Sequence, residues 1–62
     1  MYGMAAARFE LFTDRADEWR FRLVAPNNEI IAVGEGYTTK QNCIKGVDAV
    51  RRYAPDADVV ER

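Results

Sequence analysis

The 62-residue chain has no histidine, one cysteine and two prolines, and no apolar run near the ~20 residues that a membrane-spanning helix needs. Without histidine the usual metal cages and the Ser-His and Cys-His nucleophile pairs are missing. A lone cysteine has no partner for an internal disulfide, and it fits a reducing, cytoplasmic setting better than a secreted one. Nine Lys and Arg against ten Asp and Glu give a net charge of −1, so no global field draws the chain to nucleic acid or to an anionic membrane. These absences leave no cofactor, no metal site and no enzyme as the expectation.

What is present is ordinary globular composition, 48% hydrophobic and 31% charged, and it points to one small α+β domain. Below about 70–80 residues a single core rarely supplies more than ~3–5 kcal/mol without disulfides, metal or oligomerisation. With the first two set aside, self-association becomes the expected stabiliser. Residues 1–7 lack the charged and apolar regions of a signal peptide and are read as a flexible lead-in, with either Met1 or Met4 as the start. Residues 8–62 form the single domain.

Phe9 and Leu11 alternate with Arg8 and Glu10, the period-2 pattern of a half-buried strand. Phe12 interrupts it by placing an aromatic on the polar side. After the polar loop Asp14 to Glu18, Trp19, Phe21 and Leu23 share one face of a second strand, with Arg20 and Arg22 on the other. Pro26-Asn27-Asn28 is a turn cluster whose asparagines tolerate positive φ. Glu29 to Val33 forms a third strand. Gly34 and Gly36 are read as freeing the backbone to turn, and Gln41 would complete a capping box with Thr38. The helix then carries Cys43, Ile44, Val47, Val50 and Ala54 as one apolar stripe, with an Asp48–Arg52 pair outside it. Gly46, costly inside a helix, implies close approach to the sheet. Pro55 ends the helix, and Ala57 to Glu61 is a short fourth strand. The resulting fold class is a two-layer β-β-β-α-β unit, an antiparallel meander with the helix on the face of Phe9, Leu11, Trp19, Phe21, Leu23, Ile31 and Val33.

Four segments carry a family resemblance: Phe9-Glu10-Leu11-Phe12, Trp19-Arg20-Phe21-Arg22-Leu23, Gly36-Tyr37-Thr38-Thr39-Lys40 and Ala54-Pro55-Asp56-Ala57. From Arg8 to Val60 the chain resembles the YegP-like family of small uncharacterised bacterial and archaeal proteins. One departure is Asn27-Asn28, where many relatives have Asn-Gly. The resemblance implies β3-α-β units, in tandem or as a homodimer, that form a single sheet and exchange their last strands. It implies no activity. A single-unit chain is thus expected to pair with a second copy, and an unpaired sheet edge beside the short Val59-Val60 strand points the same way.

Among side chains that could carry function, Arg20 and Arg22 with Phe12 form the candidate partner or anion surface, able to meet phosphates and stack on bases. The stronger reading pairs both arginines with Glu10. Gly34-Glu35-Gly36 ahead of the helix lacks the P-loop spacing, and Glu35 would repel an anion. Cys43, on the apolar stripe, is expected to be buried and structural. The carboxylates of Asp14, Asp17 and Glu18, and of Asp56 and Asp58, lie in turns where Asp serves local hydrogen bonds. Tyr37, Tyr53, Val59 and Val60 are the candidate dimer contacts, the tyrosines covering the ends of the helix. The leading function is a non-enzymatic homodimeric protein-interaction module using the open sheet face. Nucleic acid or another anion bound through Arg20 and Arg22 is the alternative, and a small enzyme with an interface active site is the distant one.

Overall fold

The computed structural model describes residues 6–62, so most of the lead-in expected over residues 1–7 lies outside the described residues. Three strands, β1 (Arg8–Thr13), β2 (Trp19–Val24) and β3 (Ile30–Val33), form an antiparallel sheet in the order β1-β2-β3, followed by the helix α1 (Lys40–Tyr53). Both hairpins rest on short polar side chains. Asp14 Oδ1 accepts from the amides of Ala16 and Glu18 at 2.9 and 3.0 Å, and Asp17 takes up φ 62°. In the second turn Asn28 adopts φ 72° and its amide donates to the Ala25 carbonyl at 2.8 Å. Asparagine and aspartate enter this left-handed region more readily than other non-glycine residues.

Register decides which side chains meet. Phe9 faces Leu23, Leu11 faces Phe21 and Thr13 faces Trp19, so the odd-numbered residues of β1 and β2 share the side that α1 covers. Phe21, Cys43 and Val47 form the buried centre, with Phe9, Leu11, Trp19, Tyr37 and Val50 packed around it. The Phe21 ring meets Phe9 edge-on at 5.9 Å between centroids and stacks on Tyr37 at 6.4 Å. These are favourable aromatic geometries. At Gly46 an added Cβ would collide with the Tyr37 hydroxyl and come 3.3 Å from the Phe21 ring. The mid-helix glycine therefore lets α1 lie close on β2, as expected. Gly34 is needed for room and not for backbone freedom: its Cβ would overlap the Phe21 ring, and no described glycine has positive φ.

The third strand corrects the sequence reading. Leu23 faces Ala32 but Val24 faces Ile30, so Ile31 is an extra residue in a β-bulge. The bulge shifts the alternation by one, and Val33 faces Arg22 on the open side. Ile31 and Val33, assigned to the helix-covered face, are 60% and 57% exposed. The expected fourth strand is also absent: residues 57–62 have no strand pairing and are exposed throughout. A strand needs a ladder partner, and within one copy this segment reaches none.

The helix starts one residue later than the capping box placed it. Tyr37 and Trp19 exchange backbone hydrogen bonds of 2.7 and 2.8 Å, which keeps the chain extended through residue 37. Thr39, and not Thr38, is the N-cap, its hydroxyl accepting from the Asn42 amide at 3.1 Å. Gln41 thereby loses the position from which it would reach back. Ile44 and Ala54 drop out of the buried stripe, because α1 packs on β2 and both residues face past that contact. Asp48 and Arg52 form no ion pair, and Tyr53 is 65% exposed instead of covering the helix end. Pro55 lies in a single 3-10 turn, Ala54–Asp56, that ends the helical segment.

Candidate interaction surface

The open face of the sheet is built from Glu10 and Phe12 of β1 and Arg20 and Arg22 of β2, with Val24 of the same alternation buried. Glu10 faces Arg22, and Phe12 faces Arg20. The two arginines share this face as anticipated, but both are engaged. Arg22 Nε donates to Glu10 at 2.8 Å, and its guanidinium lies 5.1 Å from the centre of the Phe12 ring. Arg20 does not use Glu10. Its Nε donates to Asp14 at 2.7 Å and its Nη1 to the Gly34 carbonyl at 3.0 Å, tying the first hairpin to the end of β3. Arg8 supplies the second partner of Glu10 at 2.7 Å and also donates to the Asn28 side chain at 3.0 Å.

These contacts set the carboxylates. Hydrogen bonds from Arg8 and then Arg22 hold Glu10 below its ordinary pKa. Asp14 is lowered first by Arg20 and then by the Glu18 amide. Each favours the ionised form by offering donors to it. The face is thus a charge-compensated lattice with Phe12 capped by a guanidinium. Sequence reasoning missed Asp14 as the partner of Arg20, because the amides of Ala16 and Glu18 fix the Asp14 side chain within reach of Arg20, a tertiary arrangement that residue pattern does not display.

Beside this lattice the surface becomes apolar. Val33 and Ile30 lie on the open side and Ile31 at the bulge, each more than half exposed, along a β3 edge with no neighbouring strand. Of the candidate dimer contacts, Val59 is 102% and Val60 74% exposed. Tyr53 is open, whereas Tyr37 is half-buried against Phe21. The alternation of the sequence hid the apolar edge, since a bulge is not visible in hydrophobic period.

The remaining candidates resolve as structural groups. Cys43 is fully buried, and burial raises its thiol pKa, the opposite of what a reactive thiolate requires. Gly36 stands against the Glu18 carboxylate, which an added Cβ would strike. Among the described residues there is no acidic or thiol cluster of metal-binding size and no pocket, and no helix is long and apolar enough to cross a membrane.

Comparison with known proteins agrees with this architecture. Residues 14–61 match the domain of unknown function DUF1508. A UPF0339 protein of Treponema denticola is 52% identical over 56 residues, covering 90% of this chain and 97% of that protein. In Stutzerimonas stutzeri a UPF0339 protein is 46% identical over 54 residues, covering 87% of this chain but 49% of its own length. The solution structure of a protein from Haloferax volcanii superposes with a TM-score of 0.87 at 52% identity, over 95% of this chain and all of that one. The likeness seen in the four motif segments therefore holds across the fold, and the chain belongs to the UPF0339 family, the YegP-like proteins that carry the DUF1508 domain.

Proposed function

We propose that the protein is a non-enzymatic homodimeric interaction module, in which each copy lays its 57–62 segment as a strand along the open sheet edge of the other. The observation that carries this reading is a matched pair of deficits in one copy. Ile30, Ile31 and Val33 line an exposed strand edge with no neighbouring strand, and Val59 and Val60 are exposed in a segment without strand pairing. Joining the two segments satisfies backbone groups and removes apolar surface from water in one step. The Stutzerimonas stutzeri relative, about twice the length of the matched unit, fits an assembly of two such units.

The partner-facing surface is then the enlarged open face, flat and lined by arginine, glutamate and aromatic side chains, the composition of a polar protein interface. The alternative use of Arg20 and Arg22 as an anion site has less support, since both guanidiniums already satisfy carboxylates at 2.7–2.8 Å. The free, buried Cys43 thiol suits a reducing cytoplasm.

The test is sedimentation equilibrium of the full chain beside a variant lacking Asp58 to Arg62. The full chain should sediment as a dimer and melt at a temperature that rises with protein concentration. Truncation should abolish both behaviours and lower stability. A folded monomer of the full chain at micromolar concentration would refute the proposal.

A further inference from the structure

The cations of the sheet and those of the helix stand in opposite situations. Arg8, Arg20 and Arg22 all form ion pairs, whereas Lys40, Lys45, Arg51 and Arg52 of α1 are exposed and form none. Against these four α1 has one carboxylate, Asp48, which leaves the helix with three positive charges. Because the whole chain is at −1, the other residues carry four negative charges. The positive charge is concentrated on one element of an otherwise acidic protein.

Helical geometry concentrates it further. At 3.6 residues per turn the four cations fall within an arc of about 140°, and from Lys40 to Arg52 they span about 18 Å. Lys45 and Arg52 point away from Cys43, Val47 and Val50, while Lys40 and Arg51 flank Val47, the Lys40 Nζ lying 5.6 Å from the centre of the Trp19 ring. Asp48 lies inside the same arc, but it neutralises none of the four by direct pairing. At the end of the stripe the Arg52 guanidinium lies 5.9 Å from the centre of the Tyr53 ring, which is 65% exposed. A basic track ending in an open aromatic is the pairing that single-stranded nucleic-acid binders use, cations following the phosphates and a ring stacking on a base. Phe12, on the sheet, carries a similar guanidinium contact from Arg22 but is only half-exposed.

We infer that the exposed face of α1, through Lys40, Lys45, Arg51, Arg52 and Tyr53, is a binding surface for the phosphate backbone of single-stranded nucleic acid. It lies on the opposite layer from the open sheet face and is independent of the dimer.

The experiment is fluorescence anisotropy of the full-length protein with a labelled oligothymidylate of about 16 nucleotides, a length within the usual single-strand site sizes. Four phosphate contacts predict a slope near −3 for the logarithm of affinity against the logarithm of salt concentration, at about −0.7 per contact. The K45E/R52E variant should weaken binding at least about tenfold and reduce the slope by about 1.4, two contacts' worth. The milder K45Q/R52Q should shift both in the same direction with an unchanged circular dichroism spectrum. Y53A should weaken binding at constant slope, and R15E, which removes an exposed cation of the β1–β2 loop, should change little. Three results would overturn the inference: no binding at low salt, an equal loss in R15E, or competition by polyglutamate as effective as that by oligothymidylate. The last would reassign the stripe to an acidic protein surface.

Discussion

The centre of the sheet and its β3 edge are finished to different degrees. Around Phe21, at the centre of β2, the neighbours on both strands and on α1 are supplied by the same copy, and Phe21 is 6% exposed. Along β3 every residue is exposed, although Ile30, Ile31 and Val33 are as apolar as any core residue. Hydrophobicity alone therefore did not decide burial here. Position relative to the single helix also counted, because α1 covers β2 and leaves β3 bare. A unit of this size builds one closed core and leaves one apolar edge open.

Substitution on the closed side has the largest expected effect. Phe21→Ala removes the ring shared by Phe9, Tyr37 and the two close-approach glycines. It should cost about 3–5 kcal/mol, which is most of the stability of so small a domain. Chemical denaturation should show this loss at every protein concentration. A loss below about 1 kcal/mol would mean that the centre is not where the fold is held, since single core truncations of this kind rarely cost so little.

On the open side the effect should be smaller and of a different kind. Ile31→Lys places a charge at the bulge, a change that edge strands tolerate and that discourages strand pairing. Within one copy the cost should stay near the ±0.5 kcal/mol typical of surface sites. The proposed dimer should nevertheless dissociate at higher protein concentration than the parent, as read by sedimentation. Equal loss of fold and assembly would erase the distinction between the two regions.

The smallest effect belongs to the charged lattice that joins them. Glu10 and Asp14 have folded-state pKa values below their unfolded ones. Their stabilisation is therefore complete above the unfolded carboxylate values, and it is lost as pH falls through the lowered folded values. Both groups are only half-buried, so salt should weaken the dependence. Acid titration of thermal stability should show a mild decline that Asp14→Asn reduces. A decline steeper in Asp14→Asn than in the parent would contradict this account.

Much of this was legible in the residues because local rules agreed with one another. Trp19 to Leu23 alternates without interruption, and the structure keeps Phe21 in and Arg20 and Arg22 out. Asn28 and the Asp14 loop announced their turns by chemistry, and Gly46 announced the helix–sheet approach. The failures came where two assignments of similar energy competed. Thr38 and Thr39 are both competent caps, and the Trp19–Tyr37 bridge, a tertiary contact, chose between them. Ile31 and Val33 have the right composition for the covered face, and one inserted residue reversed it. Arg20 found Asp14 instead of Glu10 because hairpin geometry, set by backbone amides, brought the closer acceptor.

The contact between Phe21 and Gly34 has a consequence for how this sequence can change. The Phe21 ring fills the space that a side chain at residue 34 would need, so the two positions share one volume. A methyl group at residue 34 should be destabilising while the ring remains, by the ~1–3 kcal/mol typical of overpacking, and tolerated once residue 21 is smaller. The order of substitution then matters. A lineage that first shrinks the ring passes through a cavity and can recover by enlarging residue 34, whereas the reverse order passes through a clash. Positions 21 and 34 should therefore vary as a pair, with non-additive effects in the double variant Phe21→Leu/Gly34→Ala.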